Sequence, residues 1–251
     1  MHARLSYSLF MFLGLAAFLA VRHFVPKPPA LQAVPWWKRL SLGLAAFVGG
    51  TFGAKLPFVG GEGGWFALES WVSDGKTVTM GLIGAYVAVE LMKLALDIRV
   101  KTGDTFALPL AVAMAIGRWG CFFNGCCYGV PTTLPWGVDF LVDGQTVRCH
   151  PTQVYESIFH LTMAVVLVFI MRLDLMRNQR LKFYLIAYGG YRFLTEFIRP
   201  EKPEYLGLTF YQWVALGMIA ALSLQWWWDA RRQDANSSPS GQSLLVGGPQ
   251  L

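Results

Sequence analysis

Residues 105–129 read TFALPLAVAMAIGRWGCFFNGCCYG. The first part, Thr105–Gly120, is a largely apolar run that with its flanks approaches the roughly 20 residues a membrane-crossing helix needs. It closes on Arg118 between Gly117 and Gly120, and Cys121, Asn124, Cys126 and Cys127 follow at once. An ionisable side chain inside such a run is costly, so by default it is a functional signal. The whole chain shares this character. It is 55% hydrophobic and only 14% charged, where a soluble domain carries about a quarter charged residues. The net charge of +6 is spread as punctuation between apolar runs, which suits contact with anionic lipid. It does not form the basic patch on a soluble fold that a nucleic-acid partner requires.

The apolar runs on either side predict an all-α polytopic membrane protein with about seven transmembrane helices. The expected spans are Leu5–Val21, Leu40–Phe58, Val78–Leu96, Thr105–Gly120, Val154–Met171, Phe183–Ile198 and Leu208–Trp228. Basic residues accumulate on the cytoplasmic side of membrane proteins. One side here carries Arg22, Lys27, Lys38, Arg39, Arg99, Lys101, Arg172, Arg177, Arg180, Lys182, Arg231 and Arg232. The other carries Arg4, Lys55, Lys76, Arg148, Arg199 and Lys202. This asymmetry predicts the N-terminus outside and the C-terminus inside. The first span is expected to be retained and not cleaved as a signal peptide, because its basic flank outweighs Arg4 and no polar domain follows. Residues 1–233 read as one membrane domain. Residues 234–251, rich in Ser, Gly, Pro and Gln without periodicity, read as a disordered cytoplasmic tail.

Three charged segments fall at the same expected outer face. Arg118 offers a planar fork of donors suited to a phosphate. An arginine at a span end can also snorkel to the interface, but the flanking glycines and Asn124 favour a site. Arg192 and Glu196 are four apart, on one helix face, and can pair. His150, in the segment from Cys149 to Glu156, has a reference pKa near neutrality and could transfer protons. Glu156 lies inside an apolar run and requires a partner, with one of the arginines expected. Glu90 and Lys93, three apart and nearer the inner half of the third span, are expected to form a structural ion pair.

All four cysteines, Cys121, Cys126, Cys127 and Cys149, fall in this outer window, where disulfides persist. Three full connectivities are open. Cys149 is expected to be tied to Cys126 or Cys127. The C-x4-C-C…C spacing is not a standard zinc pattern, so no metal is expected.

At these segments the chain resembles the prolipoprotein diacylglyceryl transferase family. The family pattern G-R-x-G-N-F-x-N-G-E-x-x-G is followed by residues 117–129, H-P-S-Q-L-Y-E by His150–Glu156, and R-F-x-x-E-F-x-R by Arg192–Arg199. Asp104 and Pro109 fit the lead-in to the arginine motif, and Tyr7 aligns loosely with a functional tyrosine. The resemblance implies seven spans in a bacterial cytoplasmic (inner) membrane, with the active site facing the periplasm. It also implies a reaction without a cofactor. The diacylglyceryl group of phosphatidylglycerol passes to the thiol of a lipobox cysteine in a preprolipoprotein, and glycerol phosphate leaves. On this reading Arg118 and Arg192 stabilise the departing phosphate, Glu196 orients an arginine, and Asn124 and Gly129 line the headgroup pocket. Tyr7, Gln153, Tyr155, Glu156 and Arg199 complete the substrate-binding set.

The departures lie in the other half of the chemistry. Thr79 stands where the family carries the histidine of His-Gly-Gly. Cys121 and Cys126 replace an asparagine and a glutamate of the arginine motif, and Val130 replaces an arginine. The phosphate-binding half is kept and the acceptor-activating half is rebuilt, which leaves His150 or Glu196 as base, or else a different acceptor. Two further readings remain open: an enzyme on this scaffold with a non-lipobox acceptor, and a lipid-binding membrane protein without catalysis.

Overall fold

The helices begin and end close to where the apolar runs do. The computed structural model describes residues 2–59, 71 and 77–237. Lys76 and the tail from residue 238 onward lie outside the described residues. In order, the elements are α1 (His2–Phe24), a short α2 (Pro29–Gln32), α3 (Trp36–Val59), α4 (Val78–Ala95), α5 (Asp104–Phe123), α6 (Thr152–Arg172), α7 (Arg180–Thr195) and α8 (Phe210–Ser237). Among the described residues, α1 from Leu5, α3, α4, α5 and α6 are long and apolar enough to cross a membrane. The last helix runs past residue 233, where the membrane domain was expected to end.

The sixth and seventh expected spans are helical, as α7 and α8, but are not among these five. At 16 residues, α7 measures about 24 Å, short of the roughly 30 Å hydrocarbon core. It continues into a 3-10 turn, Glu196–Ile198. Its buried face carries Lys182, Tyr184, Tyr188 and Arg192. This helix spends its inward face on polar side chains, which is why its sequence is less apolar than those of the five.

Burial is arranged for a lipid solvent. Leu5, Phe12, Phe47, Leu94, Leu161 and Phe169 are exposed, whereas Glu156, His160, Gln153 and Arg118 are buried. In a bilayer, ionisable groups face the bundle interior and apolar groups face the acyl chains. The core joins Ala107 and Ala111 of α5, Met163 and Leu167 of α6, Tyr184 and Tyr188 of α7, and Met218 and Leu222 of α8.

The glycines of the second expected span have a packing reason. A Cβ built on Gly84 of α4 would lie 2.3 Å from the Gly49 carbonyl oxygen of α3. One on Gly53 would lie 2.5 Å from the Met80 carbonyl oxygen. Small residues let these two backbones approach where no apolar driving force exists between helices.

The two ends of the bundle differ chemically. At one end Asp229 of α8 pairs with Lys101 and Lys182. Nearby, Asp104 accepts backbone N–H bonds from Asn178 at 2.6 Å and Arg180 at 3.0 Å, fixing the start of α7. Lys93 lies 3.0 Å from Glu90, as their spacing predicts. The opposite end carries the C-terminal ends of α5 and α7 and the start of α6. Exposed tryptophans mark both ends, Trp36, Trp37, Trp227 and Trp228 at the first and Trp119, Trp136 and Trp213 at the second. That is the placement expected at membrane–water interfaces.

One element modifies the all-α expectation. Between α5 and α6, β1 (Val138–Val142) pairs antiparallel with β2 (Gln145–Cys149). Asp143 and Gly144 both have positive φ, 49° and 81°. Such a two-residue turn matches the twist of a hairpin.

Candidate functional site

Arg118 stands near the C-terminal end of α5, Glu156 in the second turn of α6 and Arg192 in the last turn of α7. These helix ends meet, and the meeting point is a carboxylate. Arg118 Nη2 donates to Glu156 Oε1 at 2.5 Å, and Arg192 Nη1 lies 3.9 Å from Glu156 Oε2. Arg192 Nη2 also donates to Glu196 Oε2 at 2.7 Å, and Arg199 Nε lies 3.9 Å from the same oxygen. Three arginines therefore share two carboxylates, a net charge of 3 − 2 = +1 in a buried cluster.

The helical period brings these groups together. Glu156 and His160 are one turn apart on α6, and Tyr188 and Arg192 one turn apart on α7, so each pair shares a face. Tyr188 donates its hydroxyl to Glu156 Oε1 at 2.8 Å. His160 Nε2 lies 3.7 Å from the same oxygen, while its Nδ1 shares a 2.8 Å hydrogen bond with the Tyr184 hydroxyl. Sequence reasoning missed Tyr184, Tyr188 and His160. The available signals were the four-residue offsets of His160 from Glu156 and of Tyr188 from Arg192.

The cluster is short of acceptors where it matters. The Nε donors of Arg118, Arg192 and Arg199 are buried and have no hydrogen-bond partner. A buried unsatisfied donor costs about 1–3 kcal/mol. Three such donors in one network of net positive charge leave capacity to bind anionic oxygens.

Beside Arg118 sits a second cluster. The Sγ atoms of Cys121, Cys126 and Cys127 lie within 4.8 Å of one another, and Arg118 Nη1 lies 3.9 Å from Cys121 Sγ. Positive φ at Gly125 and Cys127, 68° and 65°, turns the loop back on itself. The first turn of α6 holds that loop. Thr152 Oγ1 donates to the Cys127 carbonyl at 2.5 Å, and Gln153 Nε2 to the Cys126 carbonyl at 2.6 Å. Hydrogen bonds from the Cys121 and Cys126 thiols, ahead of the charges of Arg118 and Arg199, hold the Cys127 thiol below its ordinary range.

The expected tie of Cys149 to Cys126 or Cys127 is not made, for all four cysteines are free. Cys149 ends β2, buried and paired through its backbone with Val138 and Pro131. The other thiols turn to Cys121 instead.

The remaining expected residues divide. His150 is outside the charge cluster, its Nδ1 3.2 Å from the Tyr155 hydroxyl. Asn124 is exposed at the C-cap of α5. Gly129 packs so tightly that a Cβ would lie 2.5 Å from the Ile198 carbonyl oxygen and 2.9 Å from His150 Cβ, so its smallness serves the backbone. Tyr7 of α1 lies beside Gly120, within electrostatic reach of Arg118 and the three clustered thiols.

The family model for prolipoprotein diacylglyceryl transferase matches residues 4–228. The chain belongs to this family. Phosphatidylglycerol–prolipoprotein diacylglyceryl transferase 2 of Streptomyces coelicolor is 33% identical over 159 residues, covering 58% of this chain and 49% of that protein. The transferase of Clostridium tetani is 35% identical over 135 residues, covering 52% and 54%. That of Paracidovorax citrulli is 31% identical over 247 residues, covering 92% and 89%. The chain thus spans about half the length of the first two relatives and most of the third. Within the family pattern, the motif residues Arg118, Glu156, Arg192, Glu196 and Arg199 form one connected ion-pair network in this member.

Proposed function

We propose that the protein is a phospholipid-dependent transferase. It moves the diacylglyceryl group of phosphatidylglycerol to the cysteine thiol of a preprolipoprotein lipobox, with membership of the family as the prior. The observation that carries the reading is a buried ion-pair network of net positive charge in which the Nε donors of Arg118, Arg192 and Arg199 make no hydrogen bond. A phosphodiester entering there would be gripped by Arg118 and Arg192 through fork-shaped donor pairs. Glu156 and Glu196 hold the two forks apart and aligned before the lipid arrives. In the reaction a thiolate attacks the terminal glyceryl carbon, a C–S bond forms, and the C–O bond to phosphate breaks. Charge then builds on the leaving phosphate, where preorganised cations are most effective.

The setting completes the proposal. On this reading the chain has seven spans, α7 and α8 being the sixth and seventh, with the N-terminus outside and the cysteine–arginine end at the periplasmic face of a bacterial inner membrane. The asymmetry of Lys and Arg between connections supports that orientation. A second reading, transfer to a non-lipobox acceptor, is favoured by one feature. Thr79, where the family carries histidine, is buried in α4 and supplies no base.

The test is direct. Purified protein given phosphatidylglycerol and a lipobox peptide should yield the diacylglyceryl thioether by mass spectrometry. Lipid bound but never consumed, with every acceptor offered, would overturn transfer altogether.

A further inference from the structure

The ion-pair network leaves one chemical task without a group. Glu156 is engaged by Arg118, Arg192 and Tyr188 and Glu196 by Arg192 and Arg199, while His150, hydrogen-bonded to Tyr155 through Nδ1, stands outside this cluster. An acceptor thiol must lose its proton before it can attack carbon, since the thiolate is the nucleophile. Next to Arg118 lie three sulfurs that no ion pair or disulfide uses.

We propose that Cys121, Cys126 and Cys127 hold one thiophilic d10 cation, Zn2+ in the first instance, whose open fourth position takes the acceptor thiol. This deepens the transferase reading and rests on it for the acceptor's identity. Geometry is favourable. Zn–S bonds of about 2.3 Å at tetrahedral angles set sulfurs about 3.8 Å apart, so sulfurs already within 4.8 Å need only a small closure. The scaffold is fixed at both sides: Cys121 lies on α5, and the Cys126 and Cys127 carbonyls are pinned by Gln153 and Thr152 of α6. All three cysteines are only partly buried, which leaves a way in for a fourth ligand. Three thiolates on a dication carry −1, and the Arg118 guanidinium, shared with Glu156, stands 3.9 Å from Cys121 Sγ.

Three protein ligands with an open position are the usual form of a catalytic zinc site. Coordination would acidify the incoming thiol, its proton leaving to water. The bound thiolate then attacks the glyceryl carbon, the C–O electron pair departs with the phosphate, and the glycerol phosphate monoester takes a proton from water. Arg118 joins both halves, with Nη2 at Glu156 in the anion site and Nη1 at the sulfur of Cys121.

Full-length protein in detergent should be titrated with Cd2+ and Zn2+ after reduction. One Cd2+ should give a thiolate-to-metal absorption band with the intensity of three bonds, and the lipobox peptide, without lipid, should raise that intensity by about a third. Zn2+ should protect the three partly exposed thiols from alkylation. Cys149→Ser should leave the band intact, whereas Cys126→Ser and Cys127→Ser should weaken it. Stripping the metal from wild-type protein should lower transfer about 10²-fold or more, with Zn2+ restoring it. Transfer that survives stripping unchanged, or reduced thiols that bind no cation, overturns the metal site and leaves the transferase reading standing. A peptide-dependent band without any transfer product does the reverse, supporting the site and removing the lipid reaction.

Discussion

Arg118 and Glu156 lie 38 residues apart in the chain and meet at 2.5 Å, with both side chains almost wholly buried. A buried pair of this kind adds little net stability, because desolvation offsets the attraction. Its removal is another matter, since the surviving partner is left as an uncompensated charge. Here the same carboxylate also faces Arg192 and accepts a hydrogen bond from Tyr188. Glu156 is the hub on which three helices close.

Glu156→Ala should therefore destabilise the fold by about 3–5 kcal/mol, leaving Arg118 buried without a carboxylate and Arg192 with Glu196 alone. An anionic lipid can replace the missing charge. Added phosphatidylglycerol should raise the melting temperature of the variant more than that of wild type, and phosphatidylcholine should not. Equal responses to the two lipids would show that the arginines do not face the headgroup site.

Arg118→Lys tests geometry apart from charge. Lysine keeps the cation but loses the planar fork, so it can hold Glu156 or a phosphate oxygen but not both. Transfer should fall about 10²-fold, as for loss of one oxyanion donor, while thermal stability stays close to wild type. Full activity in a pure enzyme assay would demote Arg118 to a structural cation.

Much of this arrangement is readable from residue order. The apolar runs mark the helices, and Arg192 and Glu196 announce their pairing by a four-residue offset, which the structure bears out at 2.7 Å. Asp143-Gly144 between Phe140 and Val147 carries the hairpin signal, masked by the apolar bias around it. What spacing alone does not reveal is convergence between helices. That Glu156 serves both Arg118 and Arg192 depends on how α5, α6 and α7 cross, and His160 hides inside a run that reads as lipid-facing. The thiol cluster depends on left-handed backbone at Gly125 and Cys127. Without that turn, the C-x4-C-C spacing points nowhere in particular.

Gly84→Val should separate α3 from α4. The added Cβ alone meets the Gly49 carbonyl oxygen at 2.3 Å and the Gly53 Cα at 2.9 Å, backbone atoms that cannot rotate away. Overpacking of this kind costs about 1–3 kcal/mol or more. Gly43→Ala, with nothing within 4 Å of its Cβ, is the matched control and should be neutral. Melting curves in detergent compare the two, and equal loss at both positions would refute the close crossing.

The opposite end of the bundle should set the acid limit of stability. Burial pushes the Asp229 carboxyl up, but hydrogen bonds from Lys101 and Lys182 more than offset it and hold the group below its ordinary value of 3.8. A carboxylate with a depressed folded-state pKa stabilises the fold above its unfolded pKa. That contribution fades as pH falls below about 4 and through the folded value. Wild-type melting temperature should thus decline as pH is lowered through this window. Asp229→Asn should start lower at neutral pH, because Lys182 loses its counter-charge, and should decline less steeply below pH 4. Parallel curves for the two proteins would show that the Lys101–Asp229–Lys182 contact is not what closes this end.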